Sequence, residues 1–358
     1  MKEKNYLNRQ SNFELLRIIC IFMILILHYC NSNMGGALNI KNIPEGSFNY
    51  YLVRVFESFS IIAVNCFILI TGFFSYNSKK IKVKKVIDLI CILLFYNILI
   101  YIFALGMKLQ KFDNKSFETF IETLHSGGSW FIVIYIILYM MIPFLNIIIK
   151  NINQKQFKFL IIFMLIMFSI YPTFLSNTTV KDNGYGIINF ILLYFIGAYI
   201  SKYKMNNKNA IIYFLIYVIM QTITFSNSIK NFTNGNAFAY NSIFNIIGAV
   251  GLFLTFSRFN FKSKLINMIS QHVLGIYIIH VNIFICTYIW KDLLHSDKYY
   301  TSNYITLNLL KSIGIVFIVC LIIDIIRKTI YGFTIEKLLK NNKIYNYELI
   351  IGGDVIDE

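Results

Sequence analysis

Arg17 and His28 stand eleven positions apart in a stretch, 12–30 (NFELLRIICIFMILILHYC), that is otherwise nearly all apolar and also carries Glu14. At about 100° and 1.5 Å per residue, that spacing sets guanidinium and imidazole on nearly one helix face, roughly 16 Å apart along the axis. Ionisable groups are costly inside a bilayer, and one that persists there reads by default as functional. A planar guanidinium can hold phosphate or carboxylate through two hydrogen bonds, and an imidazole can accept a proton near neutral pH. Each residue also has a plainer reading. Arg17 would snorkel to headgroups from a helix end, and His28 would be an interfacial side chain.

The order Glu14-Leu15-Leu16-Arg17 followed by His28 resembles the opening helix of the acyltransferase family 3 membrane proteins, whose shared signature is Arg or Lys, ten intervening residues, then His. Val64-Asn65-Cys66-Phe67 through Thr71-Gly72-Phe73-Phe74 is similar to that family's second-helix segment. Ser129-Trp130-Phe131 through Tyr139 and Pro143-Phe144-Leu145-Asn146 are similar to a later segment, and Leu274-Gly275-Ile276-Tyr277-Ile278-Ile279-His280 to the near-terminal helix. The matches run in order across most of the chain. Many members carry Asp where Asn65 stands, which removes any role needing a carboxylate there. The resemblance implies an integral-membrane O-acyltransferase. Its donor would be acetyl-coenzyme A, and its acceptor a surface glycan or lipid-linked saccharide.

Further candidates follow from depth and spacing. Glu57 lies a turn or so inside the outer end of the second apolar segment, at the depth of His28. It is expected either to orient that imidazole or to pair with Arg54 at i−3. His280, with Tyr277 one turn earlier on the same face, is a second intramembrane histidine, open to a catalytic or a packing reading. Lys79, Lys80, Lys82, Lys84 and Lys85 precede the third helix and its Asp88; they read as a topological anchor or as a site for donor phosphates. Trp130, Tyr135 and Tyr139 follow Ser126-Gly127-Gly128-Ser129. They form an aromatic belt or, with Tyr277, a platform for a sugar acceptor. Asp324 and Lys311 pair with other helices or mark a polar path, whereas His272, His125 and His295 are expected near solvent.

The elements that must position these groups are legible in composition. The chain is 57% hydrophobic and 14% charged, with three Pro in 358 residues and a mean hydropathy of +0.62. Soluble globules are nearer 45–50% apolar, so a membrane is required. Apolar runs near 15–31, 55–76, 86–107, 130–149, 158–175, 187–201, 209–226, 238–257, 266–290 and 304–326 predict an all-α polytopic protein of about ten transmembrane helices. Putting both termini in the cytoplasm gathers Lys2, Lys4, Arg9, the run 79–85, Lys150, Lys155, Lys158, Lys202, Lys204, Lys208, Arg258, Lys262, Lys264 and the basic C-terminal segment inside. The outer segments keep chiefly Lys41, Lys108, Lys111, Lys115, Lys181, Lys230, Lys291 and Lys298. The net charge of +16 is then attraction to an anionic inner leaflet, and nucleic-acid binding is not indicated.

The division expected is one acyltransferase domain over 1–345 and a short acidic tail over 346–358, in a cell (plasma or inner) membrane. The first apolar segment reads as a retained helix, because no small-residue cleavage site follows it. Cys20, Cys30, Cys66, Cys91, Cys286 and Cys320 have no metal-ligand spacing and read as buried free thiols, so no metal and no resident cofactor is expected. No phosphate-loop or zinc-protease motif and no nucleophile elbow occurs, which leaves the chemistry among the helices. A proton-coupled transporter or flippase and a non-catalytic scaffold remain the rival classes, and the oligomeric state is unreadable.

Overall fold

The computed structural model describes residues 9–125, 130–175, 182–205, 209–333, 335–339 and 341–351. Lys2, Lys4, Lys181 and Lys208, used above to orient the chain, lie outside this set, as do 126–129 and the tail residues 352–358. In chain order the elements are α1 (Ser11–Cys30), α2 (Phe48–Ser60), α3 (Ala63–Ser75), β1 (Lys80–Lys82), α4 (Val83–Gly106), α5 (Asn114–His125) and α6 (Trp130–Asn151). Next come α7 (Gln154–Leu165), a π turn (Ile166–Ile170), α8 (Tyr171–Phe174), α9 (Ile187–Lys202), α10 (Ala210–Lys230) and α11 (Ile243–Ser257). The last are α12 (Lys264–Ile269), a 3-10 turn (Ser270–His272), α13 (Val273–Val281), a π turn (Tyr288–Leu293), a 3-10 turn (Ser296–Tyr299), α14 (Ile305–Phe333), α15 (Ile335–Leu339) and β2 (Glu348–Ile350).

Among the described residues, seven helical segments are long and apolar enough to cross a membrane: Ser11–Cys30, Phe48–Ser75, Val83–Gly106, Trp130–Asn151, Gln154–Phe174, Ala210–Lys230 and Ile305–Leu339. Ile187–Lys202 and Ile243–Ser257 are shorter apolar helices. The run 266–290, expected as one helix, is broken. Asn282 is the reason: its Oδ1 accepts from Phe284 N at 3.1 Å in a local turn, and its Nδ2 donates to Asn97 Oδ1 at 2.9 Å. Helix α5 lies between expected spans. Asp113 caps it through Ser116 N at 2.8 Å, and Phe117, Phe120, Ile121 and Leu124 line one stripe. The all-α expectation needs one amendment, since β1 and β2 pair antiparallel in a two-stranded sheet.

The chain forms two compact units. The first comprises Met1–Ala63, Ile90–Trp130 and Phe261–Thr334. Its core joins α1, α13 and α14, with Phe22 stacked on Phe317 at 4.3 Å and Tyr29 OH donating to Asn308 Oδ1 at 2.8 Å. At the start of α1, Ser11 Oγ donates to Asn267 Oδ1 at 2.9 Å and accepts from Ser263 N at 2.8 Å, tying α1 to α12. The second unit comprises Val64–Leu89, Phe131–Asn260 and Ile335–Glu358. Here α3 and α9 approach closely because each is glycine at the crossing: a Cβ on Gly72 would collide with the Tyr194 backbone, and one on Gly197 with that of Leu69.

Candidate active site

In the first unit the last turns of α1 and α13 bring two imidazoles together. His28 Nδ1 lies 2.7 Å from His280 Nε2, and His280 Nδ1 lies 2.6 Å from the carbonyl oxygen of Ile276. A carbonyl only accepts, so His280 Nδ1 carries a hydrogen and donates it. In the neutral ring Nε2 is then the acceptor and receives the His28 Nδ1–H. The remaining nitrogen, His28 Nε2, is left with its lone pair. His280 is fully buried and His28 is half-buried, so His28 is the more exposed residue of the pair. Tyr277 flanks both, its ring centroid 6.5 Å from that of His28 and 6.1 Å from that of His280.

Local structure holds each ring in place. The chain after α1 folds back on it, with Gly35 N donating to His28 O at 3.0 Å and Leu38 N to Cys30 O at 2.8 Å. A Cβ on Gly35 would overlap the Tyr29 backbone, so this return is possible only with glycine. His280 sits one residue before the end of α13, where Asn282 turns the chain.

Glu57 is not the orienting partner expected for His28. It is buried, its carboxylate hydrogen-bonds the Cys30 thiol, and its Oε2 has no further hydrogen-bond partner. Glu57 reaches the end of α1 that carries His28 but on another face: Cys30 lies two residues beyond His28, about 200° around the helix. The alternative ion pair with Arg54 does not form either, because that guanidinium lies over the Tyr50 ring at 3.6 Å. At the other end of α1, Arg17 and Glu14 are joined as an i,i+3 ion pair, and Arg9 approaches Glu14 Oε2 at 3.5 Å.

A second polar cluster of the first unit gathers Asp324, expected to pair with other helices or to mark a polar path, and His272, expected near solvent. Asp324 is fully buried on α14. Its Oδ1 accepts from Tyr96 OH and Arg327 Nε, each at 2.7 Å, and its Oδ2 faces His272 Nδ1 at 2.7 Å. His272 is therefore part of a buried network and not a solvated residue. The sequence signal was an intramembrane Asp with Arg three residues later; the structure adds Gly275, where a Cβ would collide with the Asp324 carboxylate.

In the second unit the lysine run 79–85 is not an open loop. Lys80 and Lys82 belong to β1, whose register pairs Lys80 with Ile350 and Lys82 with Glu348. Glu348 bridges Lys80 at 2.8 Å and Lys82 at 3.4 Å, and these ammonium groups hold its carboxylate below the usual range. Lys84 lies over the Tyr345 ring at 5.0 Å, and Lys85 over Tyr139 at 4.2 Å and Tyr135 at 5.7 Å. Tyr135, assigned with the acceptor, thus stands beside a lysine assigned to the donor. Trp130, which belongs to the first unit, is half-buried at the start of α6, and its neighbour Ser129 lies outside the described residues. Asn65, where a carboxylate is common in the resembling family, is buried and donates through Nδ2 to Tyr240 O at 2.8 Å, a bond a carboxylate could not make.

All six cysteines are free thiols, five buried and Cys91 half-buried. Among the described residues no three His, Cys, Asp or Glu side chains are grouped to hold a metal ion. Comparison with curated proteins and with solved structures gives no match. A family model described as an acyltransferase domain matches residues 10–327, which takes in α1 and its Arg17 and His28, the Asn65 segment, and His280. The chain accordingly belongs to acyltransferase family 3.

Proposed function

We propose that this membrane acyltransferase moves an acetyl group from cytosolic acetyl-coenzyme A to a hydroxyl of a cell-surface or envelope glycan. The observation that carries the reading is the His28–His280 pair, whose hydrogen bonds leave a lone pair on the more exposed residue of the two, His28. In the proposed step His28 Nε2 takes the acceptor hydroxyl proton as its oxygen forms a bond to the thioester carbonyl carbon. The tetrahedral adduct then collapses, the carbon–sulfur bond breaks, and the thiolate leaves with the proton returned by His28. His280 acts as a positioning residue: its Nε2 accepts from His28 Nδ1–H throughout and stabilises the transient imidazolium.

Arg17 is assigned to the donor, with Glu14 fixing its guanidinium while the side chain remains 29% exposed. Its spacing from His28 is comparable to an extended pantetheine arm, so one donor can reach both. Tyr277 is assigned to the acceptor, because its ring flanks the histidine pair. Both termini are taken as cytoplasmic, which turns His28 toward the outer half of the bilayer and allows an exported acceptor.

Inverted membrane vesicles supplied with radiolabelled acetyl-coenzyme A test the reaction. Label should enter glycan in a donor-dependent manner and be released by mild base. Solute flux without consumption of acetyl-coenzyme A would instead identify a carrier.

A further inference from the structure

Four of the five lysines expected to hold donor phosphates are already engaged. Glu348 occupies Lys80 and Lys82, and the rings of Tyr345 and Tyr139 lie against Lys84 and Lys85. Lys79 alone of the run lines a cavity of the second unit, about 240 Å³ in volume, and two distant lysines, Lys150 at the end of α6 and Lys202 at the end of α9, line it too. No acidic side chain is among the described lining residues.

The walls are rigidly joined. Asn146 Nδ2 donates to Ser75 O at 2.7 Å and Ser78 O at 2.9 Å, and Asn146 Oδ1 accepts from Tyr194 OH at 2.6 Å. Lys202 Nζ is anchored on Ile149 O at 2.6 Å, and Ile351 N donates to Lys79 O at 2.9 Å, so the residue after β2 closes one side. Three lysines from separate segments line this one small volume; like charges that share a cavity are favoured by an anion there, and charge-assisted hydrogen bonds from lysine favour phosphate oxygens. The cavity is smaller than the roughly 300–1,000 Å³ that encloses a drug-sized ligand, which suits the phosphate end of a molecule and not its whole.

We propose that the cavity lined by Lys79, Lys150 and Lys202 binds a phosphate or diphosphate group. The source is the phosphate-bearing end of the soluble acyl donor or an anionic lipid headgroup. Only the first of these sources rests on the acetyl-coenzyme A reading.

The full-length protein in nanodiscs of zwitterionic lipid is treated with an amine-reactive reagent, with and without inorganic pyrophosphate, and modification is read lysine by lysine by mass spectrometry. Pyrophosphate should slow modification of Lys79 and Lys150 and leave Lys41 and Lys298 of the first unit unchanged. Slowing that appears only when phosphatidylglycerol replaces the zwitterionic lipid assigns the site to a headgroup. Equal rates in all three conditions overturn the proposal. Lys150→Gln changes an exposed side chain and should raise the pyrophosphate concentration that protects Lys79 by about tenfold, the loss of one charged hydrogen bond. An unchanged concentration dependence also overturns it. Acetyl transfer on the same preparation keeps the two readings apart. Protection without transfer retains the site and sinks the enzymatic reading, and transfer without protection does the reverse.

Discussion

His272 and His280 stand eight positions apart on one segment of the first unit and have opposite electrostatic surroundings. His272 meets Asp324, whose two oxygens are also held by Arg327 and Tyr96, so every charge in the cluster has a counter-charge or donor. His280 meets another imidazole, a backbone carbonyl and the Tyr277 ring, with no carboxylate among its hydrogen-bond partners. A saturated carboxylate network in a low-dielectric interior fixes geometry, and removing one member strands the others. An uncharged imidazole pair has a free lone pair and no anion to hold its proton permanently. The first arrangement suits a strut between helices and the second suits proton transfer.

That contrast breaks most sharply at His28. His28→Ala should lower acetyl transfer by about 10²–10⁴ while the melting temperature in detergent stays near wild type. Retention of most turnover by the purified variant would remove His28 from the chemistry. His280→Gln should lower kcat with KM for acetyl-coenzyme A little changed, and should flatten the pH–rate profile. A fall in activity that tracked unfolding alone would make His280 a packing residue.

Asp324→Ala should behave in the reverse way. It leaves Arg327 and His272 buried without their carboxylate, at a cost of about 3–5 kcal/mol, and thermal melting should fall before any specific kinetic effect is seen. A stable Asp324→Ala protein with lost activity would transfer the catalytic reading to this cluster. Gly275→Ala probes the same strut sterically: the added methyl meets the Asp324 carboxylate, and about 1–3 kcal/mol of stability should be lost.

Smaller effects sharpen the comparison. Glu57→Gln should leave the pH–rate profile of transfer unchanged, because the carboxylate bonds Cys30 and not His28. A shift in the profile would restore Glu57 as the orienting group. At the lysine strand, Lys80 and Lys82 hold the exposed Glu348 carboxylate below its ordinary value. Its contribution to β1–β2 pairing is therefore present above the ordinary glutamate value, about 4.3, and is lost as pH falls through the lower folded-state value. The protection factor of the Ile351 amide, its exchange rate relative to an unstructured amide at the same pH, should fall in acid for the wild type. In Glu348→Gln it should already be low at neutral pH.

Much of the architecture was legible because burial in a membrane needs long apolar runs, and length is a property of the chain alone. Each expected run is helical over most of its length, and Arg17 and His28 do lie on one helix. Two departures have local causes that composition averages away. Asn282 makes a side-chain turn inside an apolar run, and Asp113 caps a stripe that is too polar to count as a span. The lysine run was legible as charge but not as structure, since its partner strand lies at the far end of the chain.

The sequence by itself determined the helical class, the family motif and the intramembrane ionisable residues, because hydropathy and spacing are read along one dimension. Tertiary structure alone decided their partners. Depth along the membrane follows from counting residues, but the face a side chain presents to a neighbouring helix depends on how the two helices pack. His28 consequently meets His280, 252 positions away, while Glu57 turns to Cys30. The same reason applies to Lys79, Lys150 and Lys202, which belong to three separate segments and line one cavity only once those segments have packed.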